Sequence, residues 1–168
     1  MIRLQGRLWL AFAVMMVALS VAIGSAARPV VQTPAASVSE EEAARIGEKT
    51  TIKICTECHE LDQVIKDRRT PQGWKEMVTT MADKGAIATT AEFATARQYL
   101  TRYYGIVAVN TAAAADLTAV LGLSPAAAEA VVAYRTTHGK FADLDALAKV
   151  PGLDRKKLEE QVEALRFD

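Results

Sequence analysis

Cysteine and histidine are scarce in this sequence of 168 residues, which contains only two of each. Charge of one sign is not in excess, because 20 lysines and arginines balance 20 aspartates and glutamates. A strongly basic nucleic-acid-binding protein and an acidic disordered protein are therefore both disfavoured as classes. Strand-like alternation is not sustained anywhere and helical patterns predominate, so we predict an all-α fold.

Residues 1–27 have the composition of an export signal. Two arginines within the first seven residues precede a short apolar run, which ends in the small residues Ser25-Ala26-Ala27. The run is short for a membrane span, yet an uncleaved anchor stays open as an alternative to a cleaved signal peptide. Either form places the rest of the chain outside the cytoplasm, in the periplasm, with membrane contact only if the leader is retained. Residues 28–38 contain two prolines and are predicted to be a flexible linker.

Helix signals run through residues 39–106, which we predict to be the first domain. Ser39 and Thr89 each begin a run typical of a capping box, and Pro71 suits the first position of a helix. Residues 109–168 carry shorter helical patterns that are separated by glycine and proline. Asn110-Thr111 is predicted to cap the first of these helices, and Asp154 the last, over residues 155–165. We predict that they form a second helical domain.

The run Cys55-Thr56-Glu57-Cys58-His59 carries the clearest chemistry. Two thiols three positions apart on a helix face the same side, where both can add to the vinyl groups of haem as thioethers. The histidine beside the second cysteine then reaches the iron. A redox disulfide would need a βαβ surround, and a zinc site would need more cysteines. The pattern therefore predicts one covalent haem c, held by Cys55, Cys58 and His59.

Residues 40–105 resemble class I cytochromes c. The resemblance rests on the haem motif and on Gly47, eight residues before Cys55, where the first helix of the family crosses an aromatic residue of its last helix. Tyr99 and Tyr103 are the candidates for that aromatic residue. The segment is also similar to the haem domain of quinohaemoprotein amine dehydrogenases at Arg69, Thr70, Trp74, Val78, Met81, Gly85, Ala86 and residues 99–105. The resemblance implies a cytochrome c-like helical domain.

The second iron ligand is less constrained than the first. Cytochromes of this type usually use methionine, and Met77 and Met81 lie one turn apart on one predicted helix face. Met81 is preferred because it matches the position in the resembling family, with Met77 or neither residue as the alternatives. His138, the other histidine, is expected on the surface of the second domain.

Iron that is held on both sides favours electron transfer over catalysis. We therefore predict an electron carrier rather than an enzyme, although it could serve as a subunit of a dehydrogenase. Its partners would be a redox donor protein and a redox acceptor protein, with no small-molecule substrate.

Residues 109–168 resemble the tandem helix-hairpin-helix domain of ComEA-type DNA receptors. The matching positions are Val109-Asn110-Thr111-Ala112, Leu117, Leu121-Gly122-Leu123, residues 130–135, His138-Gly139-Lys140-Phe141, Leu144, Leu147 and Val150-Pro151-Gly152-Leu153. In such hairpins a glycine turn exposes backbone N–H groups that hold a DNA phosphate without reading bases. The resemblance implies possible phosphate contacts at Gly122, Ser124, Gly152, Arg155 and Lys156.

Both hairpins depart from the family pattern of apolar-Pro-Gly-apolar-Gly. Leu121 and Ser124 replace Pro and the final Gly in the first hairpin, and Asp154 replaces the final Gly in the second. A carboxylate at that helix start would occupy the anion site and repel a phosphate. The segment also has 7 basic and 9 acidic residues, whereas DNA affinity comes mainly from basic residues.

Two hypotheses follow for this module. It is either a docking domain for protein partners of the electron carrier or a weak DNA binder. The second would make the chain an exported DNA-binding protein in which haem is structural or senses redox state.

Overall fold

A computed structural model describes residues 38–168 of the chain. The predicted export signal and all but the last residue of the predicted linker lie outside the described residues. Across residues 38–168, none of the helices combines the length and apolar character needed to span a membrane. The all-α prediction is confirmed, because eight α-helices dominate this part of the chain and its two β-strands have two residues each.

The first four helices are α1 Glu40–Cys55, α2 Asp62–Ile65, α3 Pro71–Asp83 and α4 Thr90–Tyr104. The predicted starts of α1, α3 and α4 are confirmed, since the hydroxyls of Ser39, Thr70 and Thr89 each accept a hydrogen bond from a backbone N–H of the first turn. The reciprocal half of the capping box forms only at Thr89, whose N–H donates to Glu92 at 2.8 Å. We did not predict α2, because four residues carry no helical period.

Helix α4 is the central packing element of this region, with α1 and α3 against it. A small core of Val64, Trp74 and Leu100 lies between the helices. Trp74 is fully buried, and its indole N–H donates to the carbonyl oxygen of Tyr104 at 3.1 Å. This bond satisfies the polar atom of a side chain that otherwise contributes apolar contact, which fixes α3 on the end of α4.

The remaining elements are β1 Val107–Ala108, α5 Ala114–Leu121, α6 Pro125–His138, α7 Leu144–Leu147, α8 Arg155–Glu159, a 3₁₀ turn Val162–Ala164 and β2 Leu165–Arg166. They enclose a second and larger core, which includes Val109, Leu117, Val131, Phe141 and Leu158. Strand β1 pairs in parallel with β2, so the C-terminal residues return to the start of this region.

The predicted cap of α5 at Asn110-Thr111 is wrong. Helix α5 begins three residues after Thr111, and Ala113 precedes it without a side-chain cap. Asn110 is buried instead, where its amide donates to the carbonyls of Phe141 and Phe167 and accepts from the N–H of Phe141. A buried amide that lacked these hydrogen bonds would destabilise the fold by more than one exposed helix cap stabilises it. Asn110 therefore pairs with backbone in the core and does not cap α5.

The predicted last helix, residues 155–165, is also wrong in length. Helix α8 ends at Glu159, and the chain then forms the 3₁₀ turn and β2. Leu165 is buried and the carbonyl of Arg166 accepts from the N–H of Val109 at 3.0 Å. A continuous helix would carry these residues away from the core, so tertiary pairing overrides the local helical period.

Arg102 on α4 joins the two regions within a single compact unit. Its guanidinium donates to the carbonyl of Val120 and to the side chain of Gln161, each at 3.1 Å. It also lies 3.5 Å from Glu40. Helix α4 packs against α5, and Gly105 leaves room at that crossing for the side chain of Val120.

Candidate haem cavity and hairpin surface

A cavity of about 310 Å³ lies between α1, α3 and α4 and is lined by Cys55, Cys58 and His59 of the predicted haem motif. Both thiols, the imidazole of His59 and the thioethers of Met77 and Met81 line this one space. The rest of its wall is mainly apolar and consists of Ile54, Val64, Val78, Ala86, Phe93, Ala96 and Leu100, with Lys84 as the charged member.

The two cysteines meet in the cavity for a reason that differs from the predicted one. Cys55 is the last residue of α1, and Cys58 lies in the turn that follows. A turn, rather than two positions on one helix face, therefore brings the thiols to the same wall. Cys55 is half-buried and Cys58 is exposed. Burial raises the pKa of the Cys55 thiol above its ordinary value, which favours the neutral thiol in the free protein.

His59 is half-buried at the edge of the same cavity. Its Nδ1 atom lies 3.3 Å from the carbonyl oxygen of Glu60. In the tautomer with a proton on Nδ1, that nitrogen donates to the carbonyl and Nε2 keeps its lone pair. A backbone partner of this kind orients many metal-binding histidines.

Met77 and Met81 both face the cavity from α3, so the geometry leaves the predicted choice between them open. Both side chains are half-buried. Their thioethers are soft ligands suited to haem iron, and they also fill apolar space. His138 is exposed on α6 and stacks on Tyr134, as expected for a surface histidine.

The crossing of α1 and α4 holds two walls of the cavity together. A Cβ atom added to Gly47 would lie 2.8 Å from the Cβ atom of Tyr99, which is closer than side chains pack. The predicted contact between Gly47 and an aromatic residue is therefore present, and the residue is Tyr99 rather than Tyr103. Burial of the Tyr99 hydroxyl raises its pKa well above the ordinary value.

A salt bridge reinforces the same pair of helices. The amino group of Lys53 on α1 lies 2.7 Å from the carboxylate of Glu92 on α4. The hydrogen bond from Lys53, together with those from Thr89, lowers the pKa of Glu92 to about 2. Sequence reasoning missed this pair because its members are 39 positions apart and neither carries a distinctive motif.

The donor set and the wall of this cavity fit haem c. Two thiols can form thioether bonds, and an imidazole and a methionine thioether can serve as iron ligands. The apolar side chains of the wall can cover the porphyrin. Phe93, Ala96 and Leu100 of α4 close one side of the cavity, and the motif itself gave no indication of them.

The predicted phosphate contacts lie on two separate hairpins. In the first, Gly122 adopts a left-handed conformation with φ of 65°, and the hydroxyl of Ser124 caps α6 by accepting from the N–H of Ala127. Both Gly122 and Ser124 are exposed. The guanidinium of Arg102 lies directly against Gly122, where a side chain would meet it.

In the second hairpin, Gly152 has φ of 86° and open space around it. Asp154 accepts from the N–H groups of Lys156 and Lys157 at 2.9 and 3.4 Å, so the carboxylate occupies the predicted anion position at the start of α8. Arg155 is held by carboxylates on both sides, at 2.6 Å from Asp145 and 2.8 Å from Glu159.

Residues 103–166 match the protein family described as the helix-hairpin-helix motif. This part of the chain is a helix-hairpin-helix domain. The matched segment begins within the last turn of α4, directly after Arg102, the residue whose side chain joins the two regions.

The ComE operon protein 1 of Bacillus subtilis (strain 168) is 37% identical to the chain over 54 residues. The aligned segment is 32% of this chain and 26% of that protein, so the likeness spans about a quarter of the relative's length. No solved structure gives a significant match.

Proposed function

We propose that the protein is an exported electron carrier with one covalent haem c and a helix-hairpin-helix module. The observation that supports this most strongly is the single cavity lined by Cys55, Cys58, His59, Met77 and Met81. The cavity brings together the two cysteines, the histidine and the methionines that covalent attachment and ligation of haem require. The predicted export signal agrees with the proposal, because it places the haem outside the cytoplasm.

Each residue of the cavity would have its own role in holding the haem. Cys55 and Cys58 would tether the porphyrin by thioether bonds, and His59 would ligate the iron with Nε2. Met81, or Met77 in its place, would supply the second ligand. Haem bound in this way exchanges single electrons. The apolar wall from α3 and α4 would exclude water from the metal.

The absorption spectrum of protein produced in a host competent for haem maturation tests this proposal. We expect a low-spin haem c spectrum in the oxidised and reduced forms. His59→Ala should abolish the low-spin spectrum, whereas His138→Ala, a matched change at an exposed histidine, should leave it unaltered. Met81→Ala and Met77→Ala separate the two candidate ligands, since only loss of the true ligand converts the iron to high spin. A colourless wild-type protein would contradict the proposal.

A second function, weak binding of DNA phosphates, is supported by the helix-hairpin-helix match of residues 103–166 and by the resemblance to ComEA-type receptors. Gly122 and Gly152 expose backbone at two hairpins. We propose weak affinity because Asp154 already accepts from the N–H groups at the second hairpin, and because Arg155 is paired with two carboxylates.

Salt-dependent binding of the whole protein to duplex DNA tests this second function. Asp154→Asn should strengthen binding several-fold, because it removes a charge at the anion position. Glu129→Gln removes the same charge from an exposed position on α6 and serves as the control. Lys156→Gln should reduce the slope of log affinity against log salt by about 1. Absence of binding at low salt would leave protein docking as the role of the module.

A further inference from the structure

We propose that a cleft between α3, α4 and α5 binds an organic phosphate. The cleft has a volume of about 630 Å³, and most of the residues that line it have polar or charged side chains. It shares no lining residue with the haem cavity. None of the hairpin residues proposed above to contact DNA lines it, so the inference goes beyond both proposed functions.

Three cations line the cleft: Lys75 on α3, and Arg97 and Arg102 on α4. Arg97 is half-buried, and it is the one arginine within residues 38–168 whose side chain makes neither a hydrogen bond nor a salt bridge. Lys75 likewise has no ion pair within that range. A half-buried guanidinium loses hydration, and a ligand anion in the cleft would restore the missing partners.

The chemistry of the cations favours a phosphate group. A guanidinium presents a planar fork of N–H donors that matches two phosphate oxygens, and a nearby ammonium adds a point charge. Gln98 and Thr101 also line the cleft, and their side chains carry an amide and a hydroxyl that can donate hydrogen bonds to phosphate oxygens.

The single carboxylate in the cleft indicates what the rest of the ligand carries. Asp116 on α5 is half-buried, and its carboxylate makes no hydrogen bond or salt bridge within residues 38–168. A carboxylate accepts hydrogen bonds and repels free phosphate, so it selects a ligand that also presents hydroxyl or amino donors. The cleft volume lies in the range of small-molecule sites and exceeds what inorganic phosphate needs. A phosphate ester with hydroxyl groups meets these requirements, whether it is a small molecule or part of a nucleic-acid strand.

Calorimetric titration of the full-length protein with glycerol 3-phosphate and with inorganic phosphate tests the proposal. Wild-type protein should bind glycerol 3-phosphate more tightly than inorganic phosphate. Arg97→Gln and Lys75→Gln should each weaken binding about tenfold, the effect of losing one charge-assisted contact. Lys49→Gln removes the same charge from an exposed site on α1, outside the cleft, and should change affinity less than twofold.

Asp116→Asn provides a result that a general charge effect cannot produce. The substitution should strengthen binding of inorganic phosphate and remove the preference for glycerol 3-phosphate. A single-stranded oligonucleotide distinguishes the two sources of phosphate ester: it should bind, with an affinity that Arg97→Gln lowers, only if the cleft takes part of a nucleic-acid strand. Failure of wild-type protein to bind glycerol 3-phosphate, or equal losses in Arg97→Gln and Lys49→Gln, would overturn the proposal. The haem spectrum of Arg97→Gln should match that of wild type, which separates this test from the electron-carrier proposal.

Discussion

Replacement of Gly47 by alanine probes the crossing of α1 and α4 that holds the haem cavity together. The added Cβ atom would lie 2.8 Å from the Cβ atom, 3.0 Å from Cδ2 and 3.2 Å from Cγ of Tyr99. The nearest of these atoms is bonded to the backbone of α4 and cannot rotate away. The helices must therefore move apart to admit one methyl group.

The expected free-energy change is the sum of two opposing effects. Overpacking of this kind costs about 1–3 kcal/mol, whereas alanine in place of glycine inside a helix stabilises by about 1 kcal/mol. Because the clash involves Cβ of Tyr99, we expect a net destabilisation of about 1–2 kcal/mol. Urea unfolding of the purified protein, followed by circular dichroism, measures this change.

The matched control places the same substitution in a Tyr99→Gly background. Glycine at position 99 removes the Cβ atom together with Cγ and Cδ2, so none of the three clashing atoms remains at the crossing. In that background Gly47→Ala should be less destabilising or should stabilise, so the double variant should lose less stability than the sum of the two single variants. If Gly47→Ala stabilises the wild-type protein by about 1 kcal/mol, helix propensity alone accounts for it and the close approach is refuted.

Three further predictions concern single contacts. Glu92→Gln should weaken the dependence of the free energy of unfolding on pH below pH 4.5. The pKa of Glu92 in the folded state is about 2, below the ordinary value of 4.5. The stabilisation by Glu92 is therefore present above pH 4.5 and is lost as the pH falls towards 2. Thermal melts from pH 6 to pH 2 measure the difference from wild type, and identical profiles would refute it. In protein made without haem, iodoacetamide should modify exposed Cys58 before half-buried Cys55, as peptide mass spectrometry can follow, and the reverse order would contradict the described turn. Gly122→Ala should cost about 1–2 kcal/mol, because φ is +65° and the new methyl group meets Arg102, and an unchanged unfolding midpoint would count against that contact.

Structural features that depend on one short segment of the chain could be predicted from the sequence. The hydroxyl caps at Ser39, Thr70 and Thr89 are each determined by residues within one turn, and each is present. The close approach at Gly47 was also predictable, because a side chain at that helix crossing would clash and the resembling family has the same spacing. The chemistry of the haem motif rests on five adjacent residues.

Features that depend on distant partners were not predictable. The amide of Asn110 bonds to backbone 31 and 57 positions away, and no local pattern distinguishes it from a helix cap. The residues after Glu159 leave the helical path because β2 pairs with β1. The contacts of Arg102 and the cleft beside it form only when three helices pack together, so the sequence alone did not indicate either feature.

The central claim is that two sulfur atoms bond covalently to one haem, and intact-mass measurement of denatured protein tests it most directly. Protein matured in a competent host should have the mass of the polypeptide plus one haem, and neither Cys55 nor Cys58 should react with an alkylating reagent. A mass equal to that of the polypeptide alone, with both thiols alkylated or joined in a disulfide, would contradict the electron-carrier account.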